Sequence, residues 1–235
     1  MSHFLKRLFG GNRGPSNGLS RVTNLEVSEQ PIGQSDLGPF AVLFSRGAYL
    51  QFLGMGSPDV QSALTSLSDI LQSTDDAHRY IELMLRGRDW RPHLVACVAA
   101  LLSRDRAEYA SLIWRTFDYG SWVAPQLAVV LYLSDPEFRH EAKQRIASRC
   151  PVTAASDLDV HFERTIRAKN IASLLRIVAS LPSETHWVAS ELEHADVRVL
   201  MKADTDSCGD IVDSWLAAVQ MQFTKFGCDL SPRPI

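Results

Sequence analysis

The chain has 235 residues, of which 46% are apolar and 22% charged; a chain of this mass can bury about 70% of its extended surface, enough for a self-sufficient core. Such usage excludes wholesale disorder, and a formal net charge of −3 argues against a strongly basic nucleic-acid binder. No apolar run reaches the roughly 18 residues that span a bilayer.

The chain opens Met1-Ser-His-Phe-Leu-Lys-Arg-Leu-Phe-Gly10. Phe4, Leu5, Leu8 and Phe9 can share one helix face with Lys6 and Arg7 beside them, the pattern of a membrane or partner anchor over residues 2–9. Two helical turns are too short to be stable alone, so a loose tail is the simpler expectation. Residues 10–40 are rich in Gly, Ser, Asn, Pro and Gln. With the first ten they read as an irregular N-terminal arm, residues 1–40, flexible or draped over one helical domain of residues 41–235. Within the arm, Arg21–Val27 alternates just enough for a short strand. From Phe40 to Leu53 the chain turns apolar and aromatic, until Gly54-Met-Gly-Ser-Pro58 breaks it.

Helical periodicity follows. Ser57 with Pro58 reads as an N-cap and first helical position, and Val60, Leu64, Leu67, Ile70 and Leu71 then form one buried stripe. Thr74-Asp-Asp76 starts a second helix that Gly87 closes. A third helix is expected from about Trp90 to Ser103, a fourth over Asp105–Phe117, and a fifth from Ser121 to Leu133. The sixth begins at Ser134-Asp-Pro-Glu137 and ends at Cys150-Pro151. Further helices are expected over Asp157–Leu181, with a break near Lys169-Asn170, over Ser183–His194, and over Ser207–Phe226. Helices joined by short turns, with no strand run between them, give an all-α fold.

Asp89-Trp-Arg-Pro-His-Leu-Val-Ala-Cys-Val-Ala-Ala-Leu-Leu-Ser103 and Ser121-Trp-Val-Ala-Pro-Gln-Leu-Ala-Val-Val-Leu-Tyr-Leu-Ser134 share a design. Each has a Trp at the helix start, a Pro soon after, an apolar helix and a Ser, and each is followed by a charged amphipathic helix. The repeat is about 32–33 residues, and a helix apolar on most sides must be covered by neighbouring pairs, as in helical solenoids. The Trp-Arg-Pro-His-Leu-Val-Ala and Gly-Ser-Trp-Val-Ala-Pro-Gln-Leu-Ala segments resemble uncharacterised bacterial HEAT-like helical-repeat proteins, some of which serve as toxin immunity proteins. The resemblance spans residues 75–200. It implies a HEAT-like stack of antiparallel helix pairs and, for a member of the immunity class, a toxin or effector domain as partner; it carries over no contact residue.

Chemistry-bearing motifs are sparse. The cysteines Cys97, Cys150, Cys208 and Cys228 are widely spaced, which reads as a reduced, cytoplasmic chain without a disulfide scaffold. His186 and His194 lie about 12 Å apart if helical, too far to share one metal directly. Asp157-Leu-Asp-Val-His-Phe-Glu163 would line one side if extended, but a helical pattern follows, and acidic residues suit a helix N-terminus. Gly54-Met-Gly-Ser57 lacks the context of a phosphate loop. No catalytic residue, cofactor or metal site is assigned.

Charge patterning is more informative. Residues 79–115 are arginine-rich, and Arg86-Gly-Arg-Asp-Trp-Arg91 would cluster guanidinium groups at one edge of a stack. The leading expectation is a non-enzymatic protein-binding module that occludes a partner's functional surface, contacting it through Arg86, Arg88, Arg91 and Tyr119. A second reading is a HEAT-like enzyme of the base-excision glycosylase type, with Glu108 near Tyr109 and Trp114, or Asp118 beside Tyr119, as its acidic centre; the acidic balance weighs against nucleic acid. A third is a peripheral membrane adaptor held by residues 2–9.

Overall fold

The computed structural model describes residues 32–153 and 160–228 together with Leu230. Among them every regular element is helical, in the order α1 (Ala41–Ser45), α2 (Gln51–Gly54), α3 (Val60–Ser73), α4 (Ala77–Arg86), α5 (Trp90–Leu102), α6 (Ala110–Tyr119), α7 (Ala124–Ser134), α8 (Phe138–Ala147), α9 (Val160–Ser180), α10 (Thr185–Glu193), α11 (Ala195–Ala203) and α12 (Cys208–Lys225). Short 3-10 turns precede α1, α2 and α6. The anchor at residues 2–9, the strand expected near Arg21–Val27, and Asp157 and Asp159 lie outside the described residues.

The layering follows from where the apolar side chains sit. In α5 every residue from Pro92 to Leu101 is buried, and all but Tyr132 of α7 are buried. Helices apolar on every side need cover on every side. They find it in a row, with α5 packed on α7 and α7 on α9. The amphipathic helices α4, α6 and α8 pack on the row helices next to them in sequence. Further cover comes from α3, which packs on α5, and from α12, which packs on α7 and α9. No helix of the described residues is long and apolar enough to cross a membrane.

The last residues of the arm are draped over α4. Leu37 and Phe40 are buried, and the Phe40 ring centre lies 5.8 Å from that of Tyr80. Gly38 has φ +50°, and a Cβ there would fall 2.6 Å from the Tyr80 ring; only glycine permits both the turn and the approach.

Helix starts lie close to the expected ones. Helix α3 begins at Val60 with Asp59 as its N-cap, two residues after the expected Ser57, while Ser57 Oγ accepts the Asp59 N–H at 3.2 Å in the turn that leads in. Asp89 caps α5 directly, accepting the Arg91 N–H at 3.1 Å. The expected fourth helix instead divides into a 3-10 turn, Arg106–Tyr109, and α6, a common way to enter a helix.

Two differences have clear physical causes. The break expected near Lys169-Asn170 does not occur, and α9 runs unbroken through both residues. Tertiary partners hold both in place: Asn170 donates to the Phe117 carbonyl at 3.0 Å, although its Oδ1 is buried without a partner among the described residues, and Lys169 pairs with Asp206. Helix α11 has no counterpart in the expected elements, because its acidic surroundings hid a short buried face made by Val197 and Leu200. His194 alone separates it from α10, with no glycine or proline to mark the corner.

Candidate partner-binding edge

Two loops meet at one end of the central row. One, residues 87–89, joins α4 to α5; the other, residues 120–123, joins α6 to α7. Their backbones are set by tight packing at glycine. A Cβ on Gly87 would lie 2.5 Å from Ile32 Cδ1. Gly120 has φ +103°, and a Cβ there would lie 2.9 Å from Ile166 Cγ2, so both its dihedral and its space favour glycine.

His93 clamps the two loops together. It is buried, with Nε2 2.7 Å from the Gly87 carbonyl and Nδ1 2.8 Å from Ser121 Oγ. A carbonyl can only accept, so Nε2 carries the hydrogen and Ser121 donates to Nδ1. Burial pushes the imidazole down from its ordinary 6.5 to about 4, so the ring is neutral at pH 7. The unfolded chain binds a proton that the folded chain refuses. Stability from this group is therefore complete above about pH 6.5 and is lost toward pH 4, at about 1.4 kcal/mol per pH unit. Urea unfolding at pH 7 and pH 5 should differ by about 2 kcal/mol on this account, and His93→Gln should remove that part of the difference. An unchanged difference in the variant would refute the clamp's neutral state.

The four residues expected to bind a partner are divided by their surroundings. Arg88 is exposed, and its guanidinium lies over the Tyr119 ring, 5.7 Å from the centroid. The structure thus brings those two together across the loops. Arg91 is engaged with its own helix start: it pairs with Asp89 at 3.1 Å and lies over Trp90, 5.1 Å from the ring centroid. Burial opposes its charge, yet Asp89 and the Tyr49 hydroxyl hold it above the usual guanidinium range. Arg86 is held by Glu82, one turn back in α4, at 3.1 Å.

Trp122, in the loop before α7, is 36% exposed. Phe162 meets it edge-on, with centroids 6.1 Å apart. The Lys169 ammonium lies 3.5 Å from the Trp122 ring centroid and 2.5 Å from Asp206. Lys169 itself is almost wholly buried. An ammonium placed against a ring face is attracted by its quadrupole, so Lys169 holds the indole from below while its outer side faces solvent. The signal available earlier was the pair Lys169-Asn170, which reads as a helix break by composition but as a buried support once a partner is known.

The remaining acidic candidates stand apart from one another. Glu108 lies 3.5 Å from His78, which also contacts the Tyr109 hydroxyl at 3.2 Å. Burial pushes that phenol up to about 12. Trp114 turns to other partners, donating to Asp135 at 2.6 Å beneath the Arg145 guanidinium. Asp118 is gripped by Arg145 through two bonds of 2.8 Å. His161 and Glu163 lie on the first turns of α9. Gly54 and Met55 form the α2–α3 corner, where Gln222 of α12 binds the Met55 carbonyl. Among the described residues no three His, Cys, Asp or Glu side chains are grouped to hold a metal ion.

The arrangement can present a cation, two ring faces and a fixed backbone to another surface. Compared with protein-family models, with curated proteins and with solved structures, the chain matches none.

Proposed function

We propose that the chain is a non-enzymatic helical module that binds another protein and acts by covering that partner's functional surface. The observation that carries this reading is the edge formed by Arg88, Tyr119 and the exposed Trp122, held rigid from behind by His93 and Lys169. Aromatic and arginine side chains on a rigid support are the groups that dominate binding energy at protein interfaces. Side-by-side packing of α5, α7 and α9, with α4, α6 and α8 alongside, supports a HEAT-like stack. Specific complexes of this kind bury about 1,600 Å², a patch that could extend well beyond the edge. The role that fits such occlusion best is that of an immunity protein masking a toxin or effector domain, a reading that rests on the resemblance of the two Trp-led segments.

The test is affinity purification of the intact tagged chain from its own host, beside Arg88→Glu and Trp122→Ala. A stoichiometric protein should accompany the unaltered chain. Each substitution should cost about 2 kcal/mol of binding, roughly thirtyfold in Kd, with thermal unfolding showing both variants folded. Absence of a stoichiometric partner, or equal recovery with both variants, would overturn the proposal.

A further inference from the structure

The last helix, α12, has one face that no described residue covers. Its buried side holds Val212, Trp215, Val219 and Phe223. On the opposite side Asp210, Ser214, Ala217, Met221 and Thr224 recur at steps of four, three, four and three, and every one is exposed; Met221 is 55% exposed. Steps that average about 3.5 residues keep a seam on one side of a helix, the spacing with which one helix meets another. Beside Met221 the surface dips into an open groove of about 400 Å³, whose far wall is Pro58 and Val60 where α3 begins.

The charges on this face are divided by end. At its start Asp210 and Asp213 stand against one cation, Arg176, which bonds Asp213 at 2.8 Å and is drawn by Asp210 as well, so one negative charge is left over. At its other end Lys225 is exposed, makes no ion pair among the described residues, and is the one charged residue of those that line the groove; Asp59, next to Pro58, does not line it. The two ends lie about 22 Å apart along the helix. A segment of uniform sign would satisfy one end and be repelled at the other. A helix whose charges run in the reverse order satisfies both, and α12 turned end for end is such a helix, because Asp210 and Lys225 are equally far from the midpoint between Ala217 and Ala218. A surface that complements itself when turned is what a two-fold contact requires. We propose that α12 pairs antiparallel with α12 of a second copy of the chain, about an axis at Ala217 and Ala218, with Asp210 of each copy opposite Lys225 of the other. Ser214 then lies opposite Met221, and the small side chains at the axis set a short distance between the helices. This self-association is separate from the binding of a partner at the Arg88–Trp122 edge.

The test is analytical ultracentrifugation of the full chain from about 1 to about 300 µM, since a contact at the small end of specific interfaces holds in the micromolar range. The mass should rise from that of one chain toward that of two. Ala217→Arg, at the axis, should leave the chain monomeric. Asp210→Lys and Lys225→Glu should each weaken the dimer at least about tenfold, because the two-fold counts every substitution twice. Mixing those two single variants, or joining both changes in one chain, should restore association, a result that misfolding cannot imitate. Arg88→Glu, which tests the edge, should leave self-association as it was, so the two surfaces fail separately. A chain that stays monomeric throughout, a dimer indifferent to Ala217→Arg or to either charge change, or no recovery on mixing would overturn the proposal. So would a dimer that forms only after residues 231–235 are deleted, which would assign the groove to those residues.

Discussion

Replacing Trp215 by alanine is expected to lower the unfolding free energy by about 4 kcal/mol, the upper range for truncating a buried aromatic. Trp215 is 1% exposed, and its indole N–H donates to the Phe52 carbonyl at 2.9 Å. Alanine would leave a void where α12 meets the central row and would strand the Phe52 carbonyl, which by itself costs about 1–3 kcal/mol. Trp215→Phe keeps most of the packing and loses only the donor, so it should cost about 2 kcal/mol. Urea denaturation of the three proteins separates the two contributions. A loss below about 1 kcal/mol for alanine would mean that α12 is not seated as described.

The second large effect concerns the charge beneath Trp122. Asp206→Ala leaves the Lys169 ammonium buried with the indole as its nearest support. Removing one partner of a buried pair typically costs about 3–5 kcal/mol. Asp206 is itself 22% exposed, so water can enter and the lower end, about 3 kcal/mol, is expected. The double variant Lys169→Met with Asp206→Ala should recover most of that loss, because no charge then lies buried without its counter-ion. The check is a set of denaturation curves for both singles and the double. Strictly additive losses would show that the two groups do not act on each other.

How much was legible beforehand follows from the range of the signal. Periodicity and capping are local. Ser57 and Gly87 therefore marked helix ends within a few residues, and the continuous apolar runs at 94–102 and 127–133 marked two helices that need cover on most sides. Contacts distant in sequence left little local trace. Lys169-Asn170 looked like an interruption because their partners, Asp206 and Phe117, lie far along the chain. Helix α11 was hidden for a related reason: with only Val197 and Leu200 buried, its apolar face is too narrow to stand out among acids. At the edge, Arg88 and Tyr119 were found from their place at adjoining turns, and they do meet. Arg86 and Arg91 were grouped with them by proximity in sequence, yet each has a carboxylate on its own segment. The surroundings of Trp122 were not legible because Phe162 and Lys169, which flank it, lie far along the chain.

The return of α12 to the first helices has a consequence for how the molecule holds together. Gln222 binds the Met55 carbonyl and receives a hydrogen bond from Gln61, while Trp215 reaches Phe52. An array of helix pairs left open at its ends frays from those ends, each unit depending on its immediate neighbour alone. Here the last helix latches onto the opening ones and closes a circuit. Loosening either terminus uncovers the middle, so unfolding should proceed as one cooperative event instead of a progressive unzipping.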